Sequence, residues 1–378
     1  MTRMQPGVPV GGGHGAGPYF GLLCLELEPD AKPVDVRAEV GELWALGQRL
    51  EDGTMWPFAR VEPEGLTVLF GYGAALLAGV GVGVPAELAA ARFRAPDGGA
   101  VLHGAALRWS AEATGNPAAC ALAIQLTAGS EAAVARAAVE FDRRLREGGV
   151  LRAAAWYPGY RRTDRRSWLG FHDGVANPDP AERRDLLEVT RGAGPGWLAG
   201  GTYLGFLRIR VRLDQWDAID PAKQELLVGR HLSSGAAMEV DPERPGEYRP
   251  AAMPVPGDVF ARGNEAARDP VPVASGEPSG IGRSHVQRAR RMLTGRIVRQ
   301  GYEYLEAAGP ALRTGLNFVS FQSAPDRLTR VLTGPGWLGS AAFGGQDGGL
   351  ADLLEVYAAG LYAVPPLRGD RCPGPWDL

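Results

Sequence analysis

The chain has 378 residues, 45% of them hydrophobic and 22% charged, with a formal net charge of -3. That is enough for one large or two medium domains with their own cores, and the near-neutral balance excludes the basic face that a nucleic-acid binder needs. No apolar run approaches a membrane span and no secretory or twin-arginine pattern is visible, so a cytoplasmic protein without a membrane partner is expected. Three cysteines (Cys24, Cys120, Cys372) show no metal-ligand spacing, which fits a reducing compartment without structural disulfides.

Residues 1–18 are glycine-rich and read as a flexible N-terminus. Tyr19 to Leu27 (YFGLLCLEL) is dense in apolar residues and reads as a strand. Asp35 is a candidate cap for a helix whose apolar positions Val36, Val40, Leu43 and Leu50 recur at helical spacing. Strands follow at Leu66 to Phe70 and Ala118 to Leu126. A helix then starts at Ser130, carries Val134, Ala138, Phe141 and Leu145 on one stripe, and ends at Gly148-Gly149. Val150 to Trp156 is the next strand. The order β-α-β-β-α-β is that of a ferredoxin-like α+β domain, an antiparallel sheet with both helices on one face.

The plan restarts near Gly200. Thr202 to Leu213 alternates, with Tyr203, Leu207, Ile209, Val211 and Leu213 on one side and Leu204, Arg208, Arg210 and Arg212 on the other. Asp214 starts a short helix, and Asp220-Pro221 opens another with proline at its first position. Asp241 to Gly280 is a long loop rich in Pro, Glu and Gly. Gly315 to Gln322 is a strand, and Pro325 begins a helix through Leu332. Two α+β halves are therefore predicted, at 19–180 and 196–365.

The chemistry-bearing residues are few. In Gly170-Phe171-His172-Asp173-Gly174-Val175-Ala176-Asn177-Pro178 an acid sits in a tight turn between glycines, where the backbone can approach a flat ligand; alone, this is also an ordinary Asp-Gly turn. Of five histidines, His14, His103 and His231 have no partner pattern. His285 opens an apparent helix at the end of the long loop, among arginines that otherwise read as a solvated face. Arginines cluster at 161, 162, 165 and 166 and at 283, 288, 290 and 291; such runs are solvated or flank an anion.

Taken together, GFHDGVANP, GGTYLGFLRIRVRLDQWD (200–217), GRHLSSGAAM (229–238), SHVQRA (284–289), IVRQGYEY (297–304) and GLNFVSFQ (315–322) resemble, in order and spacing, the dye-decolorizing peroxidase family. The resemblance runs over roughly residues 19 to 365. It implies two ferredoxin-like domains of the dimeric α+β barrel superfamily, with haem b held in the C-terminal half. His285 then matches the family's proximal iron ligand, Asp173 its distal acid and Arg299 its distal arginine. Gly174, Val175 and Ala176 match the stretch along the haem edge, as do positions 290 to 292, and Arg290 is a candidate partner for haem propionates. The implied reaction is reduction of hydrogen peroxide through an oxoferryl intermediate, with oxidation of a small organic electron donor; a homo-oligomer is compatible with it. Alternatives are a specialised haem oxidase or oxygenase of secondary metabolism, and a haem carrier or iron-release protein. Asp173 and Arg299 favour peroxide chemistry, because carriage needs neither.

The sequence departs from the family at several points. His172 stands where lysine or arginine is common, and is read as pointing away from the site. Arg290-Arg291 replaces an Asn-Pro turn after the histidine. Gly301 stands where some members have asparagine, which leaves Asp173 and Arg299 as the expected polar distal groups. Asn317 replaces an apolar residue, and Asp326 is the candidate carboxylate partner of His285.

Overall fold

A computed structural model describes residues 2–11, 17–55, 62–85, 88, 108–109, 120–244, 246–273, 280–291, 296–333, 350, 353–369 and 371–377. The N-terminal half begins with β1 (Thr2–Arg3) and β2 (Tyr19–Leu27), followed by α1 (Pro33–Glu51), β3 (Thr67–Tyr72) and α2 (Ala74–Gly79). The short β4 (Arg108–Trp109), β5 (Leu122–Ala128), α3 (Glu131–Arg146) and β6 (Leu151–Tyr160) complete it. Then come α4 (Pro180–Leu187), β7 (Thr202–Val211), α5 (Leu213–Asp217), α6 (Pro221–Val228), β8 (Met238–Val240), β9 (Tyr248–Pro250) and α7 (Glu265–Arg268). The chain closes with α8 (His285–Arg291), β10 (Val298–Ala308), β11 (Ala311–Gln322), α9 (Pro325–Thr333), β12 (Leu354–Val364) and β13 (Leu367–Arg368).

Each half lays its four long strands in the same order, β3-β5-β2-β6 and β10-β11-β7-β12, all antiparallel neighbours. That is the ferredoxin-like arrangement twice over. The two sheets join edge to edge at two places, where Glu303 of β10 faces Tyr160 of β6 and Ala363 of β12 faces Tyr72 of β3. The joined sheets enclose a core of alternate residues from both halves, among them Phe20, Leu22, Leu204, Phe206, Tyr302, Val319, Phe321 and Tyr362. The odd-numbered positions of β10, including Arg299, Gly301 and Glu303, therefore turn outward.

Local sequence explains the helices that frame this sheet. Ser130 Oγ caps α3 by accepting from the Ala133 N–H at 3.3 Å. Asp220 Oδ1 accepts from Ala222 N–H at 3.0 Å to start α6, which ends at Gly229 in the left-handed conformation, φ +86°. Asp35 proves not to be the cap of α1: Lys32 holds that position, Pro33 opens the first turn, and Asp35 lies inside it. Two further expectations change. Where described, the N-terminal stretch is packed, not flexible: β1 pairs with β13, and buried Gln5 donates to the carbonyls of Phe70 and Pro365 while accepting from Phe70 N–H. The long loop carries β8, β9 and α7. The Ala118 start of the predicted third strand, and residues 12–16, lie outside the described residues.

Candidate active site

Among the described residues, no long helix covers the outward face of the C-terminal sheet. That face forms the floor of a cavity of about 450 Å³, with Ile209 and Val211 of β7, Gly301 and Glu303 of β10, Leu316 and Phe318 of β11, and Leu354 of β12 on its wall. Asp173, Val175, Ala176, His285, Arg290 and Arg299 line the same cavity. A second hollow of about 250 Å³ adjoins it, sharing Ser167, Asp173, Arg299, Gly301, Glu303 and Leu316 and adding Gly174, Asn177, Arg161, Arg162, Arg165 and Arg166. Asp173, Gly174, Val175, Ala176, His285, Arg290 and Arg299 thus each line one of two contiguous spaces. The Arg291 side chain and Met292 lie outside the described residues. A larger hollow of about 660 Å³ elsewhere is edged by Glu188, Arg191, Arg368 and glycines and gathers no comparable set of groups.

Backbone geometry places the acid. Gly170 and Gly174 adopt φ of +82° and +77°, which only glycine takes without strain, and the turn between them presents Asp173 to both spaces. Its Oδ1 accepts from the Gly174 N–H at 2.8 Å, and its backbone N–H donates to Arg165 O at 2.9 Å. A Cβ built on Gly301 would overlap Asp173 Oδ2, so the strand makes room for the carboxylate only because position 301 is glycine. A side chain at 301 would therefore make the Asp173 carboxylate turn from its present place. Asn177, legible beforehand only as part of an Asn-Pro stop, clips the turn to the strand: its Nδ2 donates to Arg299 O at 2.8 Å, and its Oδ1 accepts from Arg299 N–H at 3.0 Å.

Arg299 is half-buried. Burial lowers its pKa and the neighbouring Asp173 charge opposes that shift, so it stays cationic at neutral pH. Arg230, also on the cavity wall and buried, is pushed down to about 10 by burial and then by Arg299, against the pull of Asp269. It is held by the carbonyls of Gly235 and Arg268, at 3.0 and 2.9 Å.

The helix carrying His285 is stitched to its surroundings. Buried Ser284 accepts from Gln287 N–H at 3.4 Å, and Gly229 at the end of α6 leaves room for the Ser284 side chain. Gln287 donates to Val271 O, and Arg290 to Pro270 O. Asp326 does not serve this helix: it pairs with Arg330 at 2.7 Å on the face of α9. The carboxylates on the cavity wall are Asp173, Asp269 and Glu303, among the described residues.

Several readings change here. His172 borders the cavity, but its ring packs edge-on to Phe260 at 5.9 Å and against Gly235, neither of which lines that space, and its pKa falls below the ordinary value through burial and then Arg166. The polar groups are more than Asp173 and Arg299, because Glu303 joins them; strand alternation from Arg299 was the signal that pointed to it. Asn317 belongs to the inner core, where it donates to Pro158 O at 2.9 Å and accepts from Arg208 at 2.8 Å. The 161–166 arginines are individually engaged. Arg161 donates to Gly301 O and lies over the Tyr302 ring, Arg162 pairs with Asp164, and Arg166 holds the carbonyls of Gly170, Leu232 and Ser233.

With this geometry in hand, comparison with known proteins is decisive. The family described as "Dyp-type peroxidase, C-terminal" matches residues 164–369, more than half of the chain. The chain belongs to the Dyp-type peroxidase family. A dye-decolorizing peroxidase of Thermobifida fusca (strain YX) is 29% identical over 261 residues, which cover 65% of this chain and 53% of that protein. A deferrochelatase of Yersinia pestis bv. Antiqua (strain Nepal516) is 32% identical over 101 residues, 25% of this chain and 23% of that one. The chain thus spans about half the length, or less, of these curated relatives. A DyP-type peroxidase from Streptomyces coelicolor superposes with a TM-score of 0.71 at 22% identity, covering 96% of this chain and 92% of that one. Ferric DtpA from Streptomyces lividans gives 0.70 at 21%, covering 96% and 91%. These likenesses establish the fold.

Proposed function

We propose that this protein is a haem b-dependent peroxidase that reduces hydrogen peroxide and oxidises a small organic donor. The observation that carries the reading is that one cavity brings together His285, Asp173 and Arg299, from three separate segments, among apolar walls. The donor set fits haem. A single imidazole suits the iron, Val175, Ile209, Phe318 and Leu354 suit a porphyrin face, and Arg290 and Arg296 are cations for carboxylates.

Haem, when bound, supplies the electrons for peroxide reduction and draws them back from the donor. The protein's own residues manage the protons. Asp173 takes the proton of one peroxide oxygen and returns it to the other, which leaves as water when the O–O bond breaks. Arg299, a fixed cation on the cavity wall, stabilises the negative charge that develops as the bond parts. Gly301 and Asn177 keep the two groups in register.

The test is spectroscopic. The purified protein should show a Soret band that His285→Ala abolishes. Asp173→Asn and Arg299→Leu should keep the band and slow its response to peroxide by about 10²- to 10⁴-fold. Absence of the band in protein from haem-replete cells would overturn the reading. An undiminished peroxide response in both variants favours the haem-carrier or iron-release alternative, and one relative is named a deferrochelatase.

A further inference from the structure

Asp173 stands at the open end of a narrow hairpin, and whatever fixes that end decides where the carboxylate lies. Within the hairpin the Ser167 N–H donates to Phe171 O at 2.9 Å, the Gly170 N–H donates to Ser167 O at 2.7 Å, and Arg166 and His172 pair as an antiparallel bridge. The last rung is the Asp173 N–H donating to Arg165 O at 2.9 Å. Arg165 makes that rung from φ +57°, in the left-handed region that is costly for any residue with a Cβ. Among the described non-glycine residues only Glu64 also has a positive φ. Such a conformation persists only where neighbours hold it.

The neighbour here is a ring from the long excursion. The Arg165 guanidinium lies over Phe260, with Cζ 5.0 Å from the ring centroid, and the His172 ring meets Phe260 edge-on at 5.9 Å. Phe260 therefore bears on both strands of the hairpin, beside the Asp173 rung. The loop that presents it is itself tied down. Asn264, wholly buried, donates through Nδ2 to the carbonyls of Val255 and Asp258, both at 2.7 Å, and accepts at Oδ1 from the Val255 N–H at 3.0 Å. Asp258 Oδ1 accepts from the Phe260 N–H at 2.9 Å, and Val259 is buried against Gly235. Phe260 itself is only half-buried, and among the described residues neither hydrophobic core takes it in.

We propose that Phe260 is the positioning residue of the distal acid. By holding the Arg165 guanidinium and the His172 ring it keeps Arg165 in its left-handed conformation, and through the Arg165 carbonyl it fixes the place of Asp173. The kinetic consequence rests on the peroxidase reading. A guanidinium is drawn to an aromatic face by the ring quadrupole, so an aliphatic side chain of similar bulk does not replace the ring.

The experiment uses the full-length chain, haem-loaded where peroxide is the probe. In Phe260→Leu, hydrogen exchange read by mass spectrometry should speed up about tenfold across 165–174, while β2 and α3 keep their parent rates. The same variant should keep its Soret band and its donor KM, and lose about tenfold in the second-order rate with peroxide. Phe260→Tyr, which keeps the aromatic face, should restore both exchange and rate. Glycine takes φ +57° without strain. Adding Phe260→Leu to Arg165→Gly should therefore cost less than about twofold more. The proposal is overturned if Phe260→Leu leaves either the exchange or the peroxide rate at its parent value, or if Phe260→Tyr restores neither. It is overturned equally if Phe260→Leu costs as much beside Arg165→Gly as alone. Failure of the haem reading is separate: the parent then lacks a Soret band, while Phe260→Leu still speeds exchange across 165–174.

Discussion

The same outward sheet face is treated in opposite ways in the two halves. In the N-terminal half, Leu23, Val68, Phe70, Ile124 and Leu126 disappear beneath α1 and α3, which supply Val36, Val40, Leu43, Trp44, Val134, Ala137 and Phe141. Trp44 meets Phe70 edge-on at 5.2 Å. In the C-terminal half, the strands equivalent in order present Ile209, Val211, Leu316, Phe318 and Leu354 to a 450 Å³ space roofed by the Asp173 turn and the His285 helix. One topology thus yields a closed core where two long amphipathic helices dock, and a chamber where short helices and a long excursion stand in their place. The glycines follow the same division. Gly71 on β3 faces the inner core, where a Cβ built on it would lie 2.8 Å from Tyr362 Cβ, whereas Gly301 on β10 faces the chamber and Asp173.

Truncating a large side chain on each face gives the largest separation. Phe141 is fully buried, and Phe141→Ala should cost about 3–5 kcal/mol by chemical denaturation. Phe318→Ala removes a ring that already borders open space, and in the haem-free protein it should cost less than half as much. Equal losses would show that the chamber wall is packed like the core. The paired glycines come next. Gly301→Ala forces Asp173 out of position, so peroxide reactivity should fall about 10²-fold with haem binding retained. Gly71→Ala overpacks the core and should instead cost about 1–3 kcal/mol of stability with normal peroxide kinetics once folded. A kinetic defect in Gly71→Ala, or none in Gly301→Ala, would erase the distinction.

How much of this was legible follows from where the physical signal is local. Strand β2 and the starts of α3, α6 and α9 rest on caps, prolines and periodicity within a few residues, and they stand where the sequence placed them. Strand β12 escaped because it is buried on both faces along much of its length, and β10 because its outward face carries Arg299, Gly301 and Glu303 in place of an apolar stripe. The site residues were found through their motifs, while the link between them was not: Asn177 bridges to Arg299 across 122 positions. Glu303 acquires its setting from a sheet joint, and His172 from packing on Phe260. Those are tertiary facts, and their one short-range trace is that Glu303 shares a strand face with Arg299.

The smallest expected effect separates two acids that titrate alike. Glu303 and, in the N-terminal half, Glu51 are each raised to about 7 by burial. The Glu51 oxygens accept from Val68 N–H at 2.6 Å and Gln48 Nε2 at 2.8 Å. Glu303 lacks such partners. Both sit above the ordinary glutamate value of 4.5 in the folded chain, so between pH 4.5 and 7 the folded state binds more protons than the unfolded one. Stability should therefore fall as pH rises through that window and level off above 7, the reverse of a salt-bridged carboxylate. Glu51→Gln and Glu303→Gln should each flatten that slope in denaturation measured from pH 4 to 8. Only Glu303→Gln should also shift the pH profile of turnover, because its charge lies on the wall shared with Asp173 and Arg299, whereas Glu51 is bonded into a core that touches neither cavity. If Glu51→Gln shifted that profile as much as Glu303→Gln, a raised pKa alone would explain both residues, and the placement of Glu303 between the two spaces would carry no chemical weight.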